Sequence, residues 1–123
     1  MKQATILCVD DEPSILDCLR RLLRKEDCSL LLAGSGEEAL GILEDRRVDL
    51  ILADNRMPGM SGIEFLRHAR RMQPDAIRIV LSGYTDGDTL AAAIKNGEVY
   101  RFIPKPWNNE ELRTTIRSSL EHK

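Results

Sequence analysis

Five times along this chain, a short run dense in Ile, Leu and Val gives way to a segment whose apolar residues recur at helical spacing. The short runs are Thr5 to Val9, Leu30 to Ala33, Asp49 to Ala53, Ile77 to Leu81 and Arg101 to Ile103. Their length and their β-branched and leucine content suit buried strands. Parallel strands need crossovers, which helices supply, so the alternation predicts an α/β fold with a doubly wound, five-stranded parallel sheet.

The helical segments carry their own punctuation. The first opens at Pro13, a favoured first-turn residue, and carries Ile15, Leu16, Leu19, Leu22 and Leu23 as an apolar stripe up to about Lys25. Gly34-Ser35-Gly36 turns the chain into a second helix from Glu37, in which Ala39, Leu40 and Leu43 face inward, and Ser35 with Glu38 reads as a capping box. After the Pro58-Gly59 turn, a third runs from Ser61 to Met72 on Ile63, Leu66 and Ala69 or Arg70, and Pro74 closes it. A fourth covers Asp86 to Asn96, with Leu90, Ala91, Ala93 and Ile94, and stops at Asn96-Gly97. The fifth, Asn108 to Leu120, repeats Leu112, Ile116 and Leu120 every four residues and should dock on the sheet. It reaches almost to the end of the chain, so residues 1–123 read as a single domain from which any output module is absent.

At 123 residues such a domain buries a core without disulfides or a structural metal. A net charge of −2 argues neither for nucleic acid nor for a membrane surface, and with neither a long apolar span nor a cleavage pattern at its start the chain reads as cytoplasmic. Cys8, Cys18 and Cys28 lack metal spacing and read as buried free thiols, while His68 and His122 read as solvated surface.

Function concentrates where the runs end. Asp10 and Asp11, Asp54, Ser82 and Lys105 each follow a strand, and the carboxyl ends of parallel strands form the crevice where such sheets bind ligands. Taken singly, the Asp pair could cap a helix, Ser82 could be a turn residue and Lys105 an ordinary surface lysine. Together, three carboxylates, a hydroxyl and an ammonium suit a hard cation such as Mg²⁺ beside a phosphoryl group.

The stretches VDDE (9–12), DNRMPGMSG (54–62), VLSGY (80–84) and FIPKPW (102–107) occur in an order and spacing that resembles the receiver domains of two-component response regulators. The resemblance covers essentially the whole chain. It implies a flavodoxin-like (βα)5 fold with strand order 2-1-3-4-5, a phosphorylation-controlled signalling domain rather than an enzyme in its own right. Asp54 would accept a phosphoryl group from a sensor histidine kinase or phosphotransfer protein. Asp11, Asp54 and the backbone carbonyl of Arg56 would hold Mg²⁺, with Asp10 acting mostly through water. Ser82, Lys105 and the backbone N–H groups of Asn55 and Gly83 would hold the phosphoryl oxygens.

Ser82 and Phe102 would form the switch, reshaping a face made by the fourth helix, fifth strand and fifth helix that also suits a homodimer; the plainer reading of Phe102 is ordinary burial in the last strand. The resemblance further implies a cis bond before Pro106, and Arg56 and Tyr84 flanking the path of hydrolytic water. YRFIPKPW is similar to receivers attached to hydrogenase-type transcriptional regulators or to HD-type cyclic-dinucleotide phosphodiesterases, so the output domain would be of one of those kinds. The segment Gly97-Glu98-Val99-Tyr100-Arg101 departs from the family's Gly-Ala pattern, leaving that loop's geometry open. Two other readings compete: an aspartyl-nucleophile phosphatase, which would carry an acid where Arg56 stands, and a pseudo-receiver, which would ordinarily have lost one of the charged residues.

Overall fold

A computed structural model describes residues 3–83 and 87–121. Strands β1 (Ala4–Val9), β2 (Cys28–Ala33), β3 (Leu50–Asp54), β4 (Ile77–Ser82) and β5 (Arg101–Pro104) alternate with helices α1 (Pro13–Leu23), α2 (Gly36–Asp45), α3 (Gly62–Met72), α4 (Gly87–Lys95) and α5 (Asn109–Glu121). All strand pairs are parallel and the sheet order is β2-β1-β3-β4-β5. The fold is therefore the flavodoxin-like doubly wound sheet.

Alternation along the central strands divides the core in two. Leu7, Val9, Ile51, Ala53 and Val80 point to a layer closed by Leu43, Phe65, Leu66, Ala69, Leu90 and Ala93 from α2, α3 and α4. Ile6, Cys8, Leu50, Leu52, Ile79 and Leu81 point to the other, closed by Leu19, Leu22, Leu23, Leu112 and Ile116 from α1 and α5. Strands covered on both faces must be apolar at every position, which is why these runs lack a polar alternation.

Local signals set most boundaries. Ser35 Oγ accepts the Glu38 N–H at 3.1 Å, but the Glu38 carboxylate accepts from the Gly34 N–H rather than from that of Ser35, one residue upstream of a standard capping box. β3 starts at Leu50, one residue later than the run in the sequence, and just before it the Asp49 side chain accepts the Thr5 N–H at 2.8 Å. Cys18 corrects an expectation: it is exposed, since Leu19, Leu22 and Leu23 make the buried stripe of α1, whereas Cys8 is buried and Cys28 half-buried. His68 is exposed as expected. The expected start of the fourth helix at Asp86, and His122, lie outside the described residues.

The loop entering β5 is held by arginines. Arg78 donates to the carbonyls of Pro74, Ala76, Gly97 and Glu98. Arg70 donates to Asn96 O at 3.0 Å, and Arg67 pairs with the Glu98 carboxylate at 2.5 Å. Gly97 takes φ +76°, the left-handed conformation that ends α4. Three guanidinium groups thus do the fastening at a segment that has no Gly-Ala pair.

Candidate functional site

β1 and β3 are adjacent, with Val9 opposite Ala53, so the residues that follow on each strand emerge side by side at the carboxyl edge. Asp10 and Asp54 are buried there and Asp11 is exposed, and the three offer carboxylate oxygens that all lie within 4.8 Å of one another. Lys105, just past β5, reaches Asp54 Oδ1 at 2.6 Å. Its backbone N–H donates to Ser82 O at 2.8 Å, and the Lys105–Pro106 peptide is cis. Ser82 itself is buried at the end of β4. Four of the five residues singled out from the sequence, Asp10, Asp11, Asp54 and Lys105, converge on one crevice, and Ser82 is tied to it through the Lys105 backbone.

The electrostatics of that crevice are unbalanced. Asp10 Oδ1 accepts the Glu12 N–H at 2.9 Å, while Asp10 Oδ2 is buried with no partner. Burial pushes the Asp10 carboxyl up to about 6, the charges of Asp54 and Asp11 add to the rise, and the Glu12 N–H and Lys105 oppose it. Asp10 therefore closes a tight turn onto Glu12 with one oxygen and leaves the other beside two more carboxylates; it does not cap α1, whose N-cap is Glu12 with no side-chain cap hydrogen bond. A single ammonium does not neutralise three carboxylates. A buried orphan oxygen within an oxygen-only set fits a hard divalent cation such as Mg²⁺, for which Asp10, Asp11 and Asp54 could supply side-chain oxygens.

The family profile described as "Response regulator receiver domain" matches residues 6–117. The chain belongs to that family. This receiver domain is 43% identical over 120 residues to the "Hydrogenase transcriptional regulatory protein HoxA" of Cupriavidus necator, covering 98% of this chain and 25% of that protein. It is 34% identical to the "Transcriptional regulatory protein GlrR" of Escherichia coli K12, covering 98% of this chain and 27% of that one. The receiver thus spans about a quarter of the length of these regulators. Among solved structures, the signal receiver domain of an HD domain-containing protein from Pseudomonas fluorescens Pf-5 superposes with a TM-score of 0.92 at 36% identity, covering 98% of this chain and 97% of that one.

Two expectations about the receiver's site change. The Asn55 N–H, expected among the phosphoryl donors, extends the β3–β4 ladder in this structure by donating to Leu81 O at 2.9 Å. Phe102 is not buried in the last strand; Ile103 turns inward, and Phe102 is 44% exposed. It lies along a groove of about 410 Å³ lined by Ser82, Gly83, Leu90, Ala91, Ile94 and Pro104. Gly83 leaves open space where a Cβ would stand. Arg56 is exposed, and Tyr84 lies outside the described residues.

Two features of the β3–α3 connection emerge only in the structure. A Cβ on Gly62 would lie 2.2 Å from Asp54 O and 2.8 Å from Asn55 Cα, so the helix start sits directly on the strand end. Met57 is buried under the Pro58-Gly59 turn, where Gly59 takes φ +76°. The one signal for the Gly62 contact was the Ser-Gly pair at the start of a helical period.

Proposed function

We propose that this receiver accepts a phosphoryl group on Asp54 in a Mg²⁺-dependent reaction, from the phosphohistidine of a sensor kinase or phosphotransfer protein. The observation that carries the reading is the pairing of the buried Asp54 with Lys105 at 2.6 Å beside the partnerless oxygen of Asp10. In the transfer an Asp54 oxygen bonds to phosphorus as the phosphorus–nitrogen bond breaks, and the donor imidazole keeps the electron pair. Such transfers depend on positioning and charge neutralisation more than on covalent help from the protein. Lys105 supplies one fixed positive charge, and Asp11 and Asp54 with the Arg56 carbonyl, and Asp10 mostly through water, would hold the cation that supplies the rest. The Ser82 hydroxyl and the Gly83 N–H would turn to the phosphoryl oxygens, and the groove beside Phe102 gives that ring somewhere to go when Ser82 moves. The consequence would be altered affinity for an output domain or a second copy through α4, β5 and α5.

Incubation with acetyl phosphate and Mg²⁺ should add one phosphoryl mass that hydroxylamine removes. Equal labelling of Asp54→Asn would end this reading. Labelling that persists undiminished in EDTA would remove the metal from it.

A further inference from the structure

We infer that the Asn55 side chain is a positioning residue for the acidic site, clamping the β3–α3 connection so that Asp54 and the carbonyl of Arg56 are presented together. The inference rests on the phosphoacceptor reading above and assigns a role to a residue that neither binds metal nor touches a phosphoryl group.

A helix begins with N–H groups that have no partner inside it, and each must find one elsewhere when buried. In α3 they are accounted for in an unusual way. Glu64 N–H is capped locally by Ser61 Oγ at 3.2 Å, and Phe65 N–H begins the regular helical bonding to Ser61 O at 2.9 Å. The two donors before them both go to Asn55: Gly62 N–H to its carbonyl at 3.0 Å and Ile63 N–H to its side-chain Oδ1 at 3.4 Å. The Asn55 N–H meanwhile belongs to the β4 ladder through Leu81 O. One buried residue therefore joins the end of β3, the end of β4 and the first turn of α3. The contact is tight, because Gly62 has no room for a Cβ against Asp54 O.

What lies between the two clamped ends is the segment 56–61, which opens with Arg56. A hydrocarbon at position 55 could keep the ladder bond and the carbonyl bond but would leave the buried Ile63 N–H without an acceptor. The first turn of α3 would then tilt or slide to find one, and residue 56, next to the clamp, would move with it. A group that orients metal ligands without touching the metal commonly governs affinity by such means.

The test is a Mg²⁺ titration followed by the emission of Trp107, the single tryptophan, two residues beyond Lys105, with amide exchange measured in the metal-free protein. Asn55→Leu should raise the Mg²⁺ Kd about tenfold and speed exchange at Ile63. Asn55→Asp, which keeps the acceptor, should hold exchange at the wild-type rate and bind Mg²⁺ at least as tightly as wild type. Ser61→Ala removes the neighbouring cap and should lower Tm without changing the Mg²⁺ Kd. Wild-type Mg²⁺ affinity in a folded Asn55→Leu protein would overturn the inference, as would an Asp variant as impaired as the Leu variant. If Asn55→Leu does not fold, wild-type exchange decides: an Ile63 amide exchanging at the unprotected rate overturns it. Failure of wild type itself to take label from acetyl phosphate would instead count against the phosphoacceptor reading, leaving the metal-free exchange result to stand by itself.

Discussion

Asp10 sits in an environment that works against its charge. Its carboxyl, ordinarily near 3.8, is pushed up to about 6 by burial and by its acidic neighbours. The folded state thus holds this proton more tightly than the unfolded chain does, and stability in the metal-free protein falls as pH rises from about 4 to 6. A rise from 3.8 to about 6 corresponds to about 3 kcal/mol once both states are ionised. Asp10→Asn keeps an acceptor for the Glu12 N–H and removes the charge. In EDTA at pH 7.5 it should be more stable than wild type by about 1–3 kcal/mol, by urea denaturation, and the advantage should vanish below pH 4. Excess Mg²⁺ should reverse the order. A variant that is less stable in EDTA at both pH values would show that the Asp10 carboxylate is not under electrostatic strain.

At the scale of elements, the end of the sheet opposite the acidic crevice depends on Arg78. Its guanidinium serves four carbonyls in the α3–β4 and α4–β5 connections, and burial together with the charge of Arg70 holds it below the usual arginine range. Arg78→Ala would leave those carbonyls short of donors and should cost about 2–4 kcal/mol. Amide exchange should rise first at Tyr100, whose N–H donates to Arg78 O, and in the last turn of α4. Uniform exchange across all five strands would show that Arg78 supports the fold at large rather than these two loops. None of this was readable from the sequence: an arginine second in a strand looks like an edge residue, and its acceptors come from two loops that only the tertiary fold brings together. The elements themselves were readable, because doubly covered strands leave unbroken apolar runs and Pro13, Ser35, Ser61 and Gly97 mark helix ends by local chemistry. So were the strand-end residues of the site, since parallel topology gathers them wherever they lie in the chain. The bond from the Asn55 N–H to Leu81 O was not legible, because it is set by the register of β3 against β4, a pairing between segments far apart in sequence. Cys18 was placed inside because a helical period marks the centre of an apolar stripe better than its margin.

Across the whole molecule, the acidic crevice and the α4–β5 surface are linked by the bond from Lys105 N–H to Ser82 O at 2.8 Å. Ser82 lines the groove beside Phe102 and lies buried at the crevice edge, so its displacement would open space at the inner end of that groove. Phe102→Trp, made in a Trp107→Phe background, should report this: its emission should shift to the blue when beryllofluoride and Mg²⁺ are added, as the ring leaves solvent. An unchanged spectrum in protein that binds beryllofluoride would mean that the site is not coupled to this face through position 102.

The bond from Lys105 N–H to Ser82 O has a consequence for the kind of message the domain can carry. The backbones that carry the hydroxyl and the ammonium that would sense the added charge are joined by one rung, so neither stretch of main chain can travel far while the other stays behind. If Asp54 is phosphorylated as proposed, two sensors tied in this way would register a single event. The domain would then act as a one-bit device, its graded output coming from the fraction of molecules that have flipped and not from how far any one of them has moved.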